Sequence, residues 1–152
     1  KKYLKKGAAV LDADLKNKPY TSVEITFMKS FDNIRTFEHP FTNDGRIFEV
    51  RIYKSPTVKT GQKKIEMFNN GEIDIMRRVG MGPVLYGEHL TGPDMPNLTY
   101  ILSYPSMRDR GKAWGKFGPD PKWKEMSGDP QYKDLLSGIV SFYLEPTDYS
   151  QI

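Results

Sequence analysis

The chain has no cysteine among its 152 residues. That excludes disulfides, thiolate metal sites and cysteine nucleophiles. Histidine is nearly as scarce: His39 and His89 are the whole supply, too few and too far apart for a multi-histidine metal site. No apolar run approaches the ~20 residues of a membrane-spanning helix, and no secretory signal pattern is visible. A soluble protein is expected. Its localisation is open, with any targeting segment absent or truncated from this chain. A strong charge imbalance is also missing. There are 23 Lys and Arg against 19 Asp and Glu, a net charge of +4. Residues 1–45 hold 8 basic and 6 acidic side chains, and residues 46–152 hold 15 and 13. A nucleic-acid surface concentrates its surplus on one face, and this surplus is thin and spread. The one dense run, "KKYLKK", reads as a solvated helix end. Neither nucleic acid nor a membrane span is expected. The chain also lacks a G-x-G-x-x-G fingerprint, a P-loop and a serine-nucleophile elbow.

What is present suits a folded domain. Hydrophobic residues make up 38% and aromatics 12%, enough for a sizeable core. "RIFEVRIYK" alternates, with Phe48, Val50 and Ile52 on one face and Glu49, Arg51 and Tyr53 on the other, which predicts a half-buried strand. A helix is expected from Thr60 or Gly61 to Val79, ended by Gly80, with Arg77 and Arg78 in its last turn. "PVLYGEHL" and "LTYILSY" predict two strands joined by the turn-rich "TGPDMPN". Met107, Gly111, Trp114 and Phe117 mark a second helix. Asp120 and Pro121 open a short third one. "SGIVSFYLEP" is the last strand. The fold class is therefore α+β: a ferredoxin-like β-α-β-β-α-β antiparallel sheet with helices on one face.

Residues 46–152 make up that complete unit. Residues 1–30 read as a helix, a turn and one strand, and residues 31–45 as a linker. "KYLKKGAAVLDADLKNKPYTSVEITFMKSF" parallels "KWKEMSGDPQYKDLLSGIVSFYLEPT": each has Lys-aromatic, a short helix, a turn and a strand. The parallel suggests an internal repeat, with residues 1–30 the tail of a preceding, incomplete copy. The alternative is a strand that simply adds to the edge of the sheet.

The stretches "FEVRIYKS", "KKIEMFNNGEIDIMRRVGMGPVLYGEHLTGPDMPNLTYILSY", "RDRGKAWGKFGPDPKWKEM" and "PTDYSQI" resemble the NIPSNAP family, in particular its bacterial tandem members. The resemblance implies a dimeric α/β barrel, in which two sheets pack face to face between chains or between repeats. It implies no established reaction. It also places the chain in a superfamily with cofactor-free monooxygenases, isomerases and haem enzymes. Tyr53, Tyr100 and Tyr104 are expected on a sheet face left uncovered by a missing first unit.

Glu72 is the first candidate residue. On a helical wheel it falls inside the apolar arc of Ile65, Phe68, Ile75, Met76 and Val79. A lone buried carboxylate is costly, so it must be paired or protonated. It is a catalytic acid or base in a pocket, or a structural acceptor, or "NNG" bends the helix and changes its face. His89 is the second candidate, able to titrate near neutrality; haem ligation by His89 is its minor alternative, and otherwise no cofactor is expected. Tyr53, Tyr86 and Tyr100 line one pocket if their faces agree, or pack as ordinary core. Glu49 and Arg51 are expected at the seam between paired sheets, as ion pairs that set register. The functional expectation is a binding or assembly module that self-associates or pairs with a second repeat through its sheet. The alternative is a small-molecule enzyme of the cofactor-free monooxygenase or isomerase type, with a ligand held between helix and sheet.

Overall fold

A computed structural model describes residues 2–152; Lys1, the first residue of the expected N-terminal helix, lies outside the described residues. That helix forms as two short pieces, α1 (Lys2–Lys6) and α2 (Ala8–Leu11). The strands are β1 (Phe27–Ser30), β2 (Ile47–Lys54), β3 (Gly82–Thr91), β4 (Asn97–Tyr104) and β5 (Gly138–Leu144). They make one antiparallel sheet in the order β1-β3-β4-β2-β5. The chain crosses from β2 to β3 through α3 (Val58–Met67) and α4 (Ile73–Val79), and from β4 to β5 through α5 (Met107–Phe117) and α6 (Pro121–Gly128). Residues 47–144 therefore have the expected α+β ferredoxin-like order. β1 extends the sheet beyond β3, on the edge opposite β5.

The capping chemistry sets the helix limits. α3 starts earlier than the periodicity suggests. Thr57 Oγ1 accepts from the Thr60 amide at 3.1 Å, and Thr60 Oγ1 accepts from the Thr57 amide at 3.0 Å. Asp120 caps α6 by accepting from the amides of Lys122 and Trp123. Gly80 ends α4 in the left-handed conformation, φ 96°. The linker is irregular, yet it is a strap with a structural job. Phe31 and Ile34 are buried in the core, and the amides of Phe31 and Glu38 donate to Tyr86 and Val84 carbonyls along the β3 edge.

The two faces of the sheet reverse one expectation. Glu49, Arg51 and Tyr53 lie on the helix side, in register with Tyr100 and its neighbours, and Glu49 bonds to side chains of α5. Tyr53, Tyr100 and Tyr104 are buried there, so none lies on an uncovered face, and Glu49 and Arg51 do not lie at a seam between sheets. Alternation separates two faces without saying which is inner. Here the polar row is inner because its groups satisfy one another. The apolar row of Phe48, Val50 and Ile52 looks away from the helices, as do Val140, Phe142 and Leu144, their register partners on β5.

Between α3 and α4 the helix is kinked within Phe68–Glu72, where Gly71 leaves helical geometry with φ 136°. The kink stays within the core, since Phe68, Glu72 and Ile73 are all buried. An L-residue at that φ is strained. Gly71→Ala is expected to lower stability by about 1–3 kcal/mol, seen as a lower urea midpoint at constant slope. An unchanged midpoint would mean that the kink relaxes to regular helix without loss.

Candidate functional site

Glu72 is 2% exposed, so the wheel placed it correctly despite the kink at Gly71, and its partner is a lysine. Lys64 Nζ, on a residue 4% exposed, donates to Glu72 Oε2 at 2.5 Å. The same ammonium sits 4.3 Å from the ring centre of Phe68 and 5.7 Å from those of Tyr53 and Trp123. Burial pushes the Glu72 carboxyl above its usual value, opposed by the Lys64 ammonium and by Arg51. The sequence offered one signal for Lys64: it stands one turn before Phe68, on the margin of the buried arc.

The second carboxylate of the seam is Glu49, with no exposed surface. It accepts from Arg51 Nη1 at 2.8 Å, from Arg110 Nε and Nη2 at 3.1 and 2.9 Å, from Trp114 Nε1 at 2.9 Å and from the Tyr104 hydroxyl at 3.2 Å. Burial alone would raise its carboxyl. The bonds from Arg110, Trp114 and Arg51 outweigh burial and hold it below its usual value. Arg110 and Trp114 lie one turn apart on α5. The helical spacing of Met107, Gly111, Trp114 and Phe117 marks Trp114 as part of the inner face of α5, and carries no signal for Arg110.

Tyr53, Tyr86 and Tyr100 do share a face, packed solid. Tyr86 stacks on Tyr100 with ring centres 4.9 Å apart, Tyr53 meets Tyr100 edge-on at 5.1 Å, and Phe68 touches all three. Their hydroxyls are engaged: Tyr100 donates to Tyr53 and Tyr86 to Met76 Sδ. Burial raises the Tyr86 and Tyr100 phenols well above their usual value. His89 stands apart. Its β3 neighbour Glu88 reaches Gln62 on the helix side, so His89 points to the other face, away from Glu72. His89 Nε2 is 2.8 Å from Thr99 Oγ1, and Nδ1 is buried beside Gly92 without a partner. Burial lowers its pKa. His39 is a loop residue. Among the described residues, no three of His, Asp and Glu gather as a metal set.

These features define a ferredoxin-like α+β domain whose helix–sheet seam is filled by its own charges and aromatics. The NIPSNAP family model matches residues 48–151, so the chain belongs to the NIPSNAP family. A NIPSNAP family protein from Agrobacterium tumefaciens is similar at 24% identity, over 70% of this chain and 98% of that one, with a TM-score of 0.63. A NIPSNAP-like domain protein from Burkholderia xenovorans, uncharacterized, is similar at 20% identity, over 71% and 90%, with a TM-score of 0.62. A second Agrobacterium tumefaciens family member, of unknown function, is similar at 18% identity, over 76% and 97%, with a TM-score of 0.63. At such identities the likeness establishes a shared fold. No curated protein matches the chain.

The two carboxylates titrate with opposite linkage. Glu49 has a lowered folded value, so its contribution is full above the unfolded value of about 4.3 and is lost as pH falls through the folded one. Glu72 has a raised folded value, so its contribution is full below the unfolded value and is lost as pH rises through the folded one. Glu49→Gln should flatten the acid limb of the stability–pH curve, and Glu72→Gln should flatten the decline on its other side. Urea unfolding across the acid and neutral range reads both. Glu49→Gln should also cost about 3–5 kcal/mol, because it leaves two guanidiniums without their counter-charge. One variant that flattens both limbs would contradict the assignment.

Proposed function

We propose that this domain is a binding and assembly module that pairs through the sheet face opposite its helices. The observation that carries the reading is the apolar character of that face. Phe48, Val50, Ile52, Leu85 and Ile101 form its floor, and Val140, Phe142 and Leu144 stand 43–46% exposed on β5. A contiguous apolar patch of this kind marks an association surface. The outer edges of β1 and β5 also have no strand paired to them among the described residues. The occupant of the face is a second copy of the chain or a preceding repeat. The N-terminal segment supports a preceding repeat: Leu4, Val10, Leu11, Leu15, Val23, Ile25 and Phe27 are all exposed. Its helix–turn–strand order matches that of α6 and β5.

The enzyme alternative gains less from the geometry. Glu72 and His89 lie on opposite sides of the sheet, and the tyrosine hydroxyls are engaged in the core. Among the described residues no acid–base–nucleophile set converges on one point. No helix among the described residues is long and apolar enough to cross a membrane.

Native mass spectrometry with light scattering tests the assembly reading. The wild-type chain should be a dimer, and Phe142→Glu should be a monomer with an unchanged circular dichroism spectrum. A monomeric wild type, or a dimer that ignores Phe142→Glu, would overturn it.

A further inference from the structure

The sheet ends in β1 on one margin and in β5 on the other, and the two are protected unequally. β1 is four residues long, its register slips between Phe27 and Met28, and Lys29 stands within it. A short strand, an irregular register and a lysine each discourage pairing at a sheet edge. β5 has none of them. It runs for seven residues, Gly138–Leu144, without charge or proline and in unbroken register with β2. An uncharged run of β-branched and aromatic residues at a free edge recruits a further strand. β5 is also bare on both faces. Val140, Phe142 and Leu144 are exposed on the face opposite the helices, and Ile139, Ser141 and Tyr143 are exposed on the helix side. Nothing among the described residues covers it.

The β5 sequence is complementary to itself. Turned antiparallel about Ser141, it sets Val140 against Phe142 of a second copy on the apolar side, and Ile139 against Tyr143 of that copy on the helix side. A β-branched residue opposite an aromatic one is a favourable cross-strand pair. Strand direction agrees. Followed through the antiparallel pairings, β1 and β5 run the same way. A second sheet turned about an axis along the strands would bring β5 to β1, as a parallel pair on the blunted margin. A second sheet turned about an axis across the strands brings β5 to β5 as an antiparallel pair, the more stable ladder per residue.

We propose, resting on the assembly reading above, that two copies of this chain stack their apolar faces about a two-fold axis that crosses the strands, and that β5 of each adds antiparallel to β5 of the other. The contact is isologous, so it closes at a dimer and leaves the β1 margins free. It covers the apolar row and pairs the open backbone groups together.

The chain has no cysteine, so one engineered thiol can form a disulfide only between copies. Ser141 lies at the proposed axis. Its side chain is level with Arg51 on the helix side, so it points away from the stacked apolar faces. Ser141→Cys, mildly oxidised in the full chain, should run mainly as a disulfide-linked dimer on non-reducing electrophoresis. Lys116→Cys, exposed on α5, should stay at background. Ser141→Lys should raise the dimer dissociation constant about tenfold or more, because it sets two ammonium groups against each other across the seam. Light scattering reads that change, with circular dichroism as the check on folding. A monomeric wild-type chain would remove the assembly reading and the seam together. The seam alone falls if the wild type is a dimer that Phe142→Glu dissociates, yet Ser141→Cys links no more than Lys116→Cys or Ser141→Lys dimerises as the wild type does; the face-to-face reading then stands.

Discussion

The buried carboxylate of Glu49 is the constraint on which the architecture turns. A single side chain of strand β2 accepts from Arg51 on its own strand, Tyr104 on β4, and Arg110 and Trp114 on α5. A carboxylate stripped of water is tolerated only when its lone pairs are filled. Filling them fixes three elements against one another: α5 cannot slide along the sheet without breaking bonds to two of its residues. The neighbouring row then follows. Arg51, held by Glu49, sits 4.8 Å from the Trp114 ring centre and donates to the Tyr53 hydroxyl. Tyr53 in turn accepts from Tyr100, which stacks on Tyr86. The polar hub thus sets the geometry of the aromatic core rather than interrupting it.

The Lys64–Glu72 pair is a second and different solution to the same problem. Glu49 has more donors than it needs, whereas Glu72 has one close cation, and burial is the larger effect on it. That difference explains why the two buried carboxylates shift in opposite directions. It also bears on the kink between α3 and α4. With the kink at Gly71, Phe68 meets the tyrosines and Glu72 meets Lys64. Gly71 supplies the unusual backbone angle at low steric cost.

Much of this was legible in the sequence, for identifiable reasons. The element order followed from periodicity and punctuation: Gly80, Asp120 and Pro121 mark helix ends by local chemistry, which tertiary contacts do not override. Glu72 inside an apolar arc was readable because a helix wheel is local. What failed was the choice of inner face for β2. "FEVRIYK" alternates, and an ordinary hydrophobic rule buries Phe48, Val50 and Ile52. The structure puts Glu49, Arg51 and Tyr53 under the helices because Arg110 and Trp114, about sixty residues later, supply their partners. No local rule detects such a match. Lys64 and Arg110 were passed over for the same reason, since each looks solvated until its carboxylate is found across the seam.

The reversal has a consequence for assembly. In a two-layer α+β domain one sheet face meets helices and the other meets water, so the outer face is normally the polar one. Here the polar residues of β2 are spent on the seam, and the outer face keeps Phe48, Val50 and Ile52 in register with Val140, Phe142 and Leu144. A sequence under pressure only to be a stable monomer could exchange the outer row for polar residues without touching the core. Retaining aliphatic and aromatic side chains on both faces costs solubility and favours aggregation unless something covers them. Phe48 and Val50 are already screened to 5% and 7% exposure, whereas the β5 row stays open at one margin of the face. The uncovered area therefore runs along β5 and its free edge. A partner seated there meets apolar side chains and unpaired backbone groups together, which is the combination that strand-to-strand association uses.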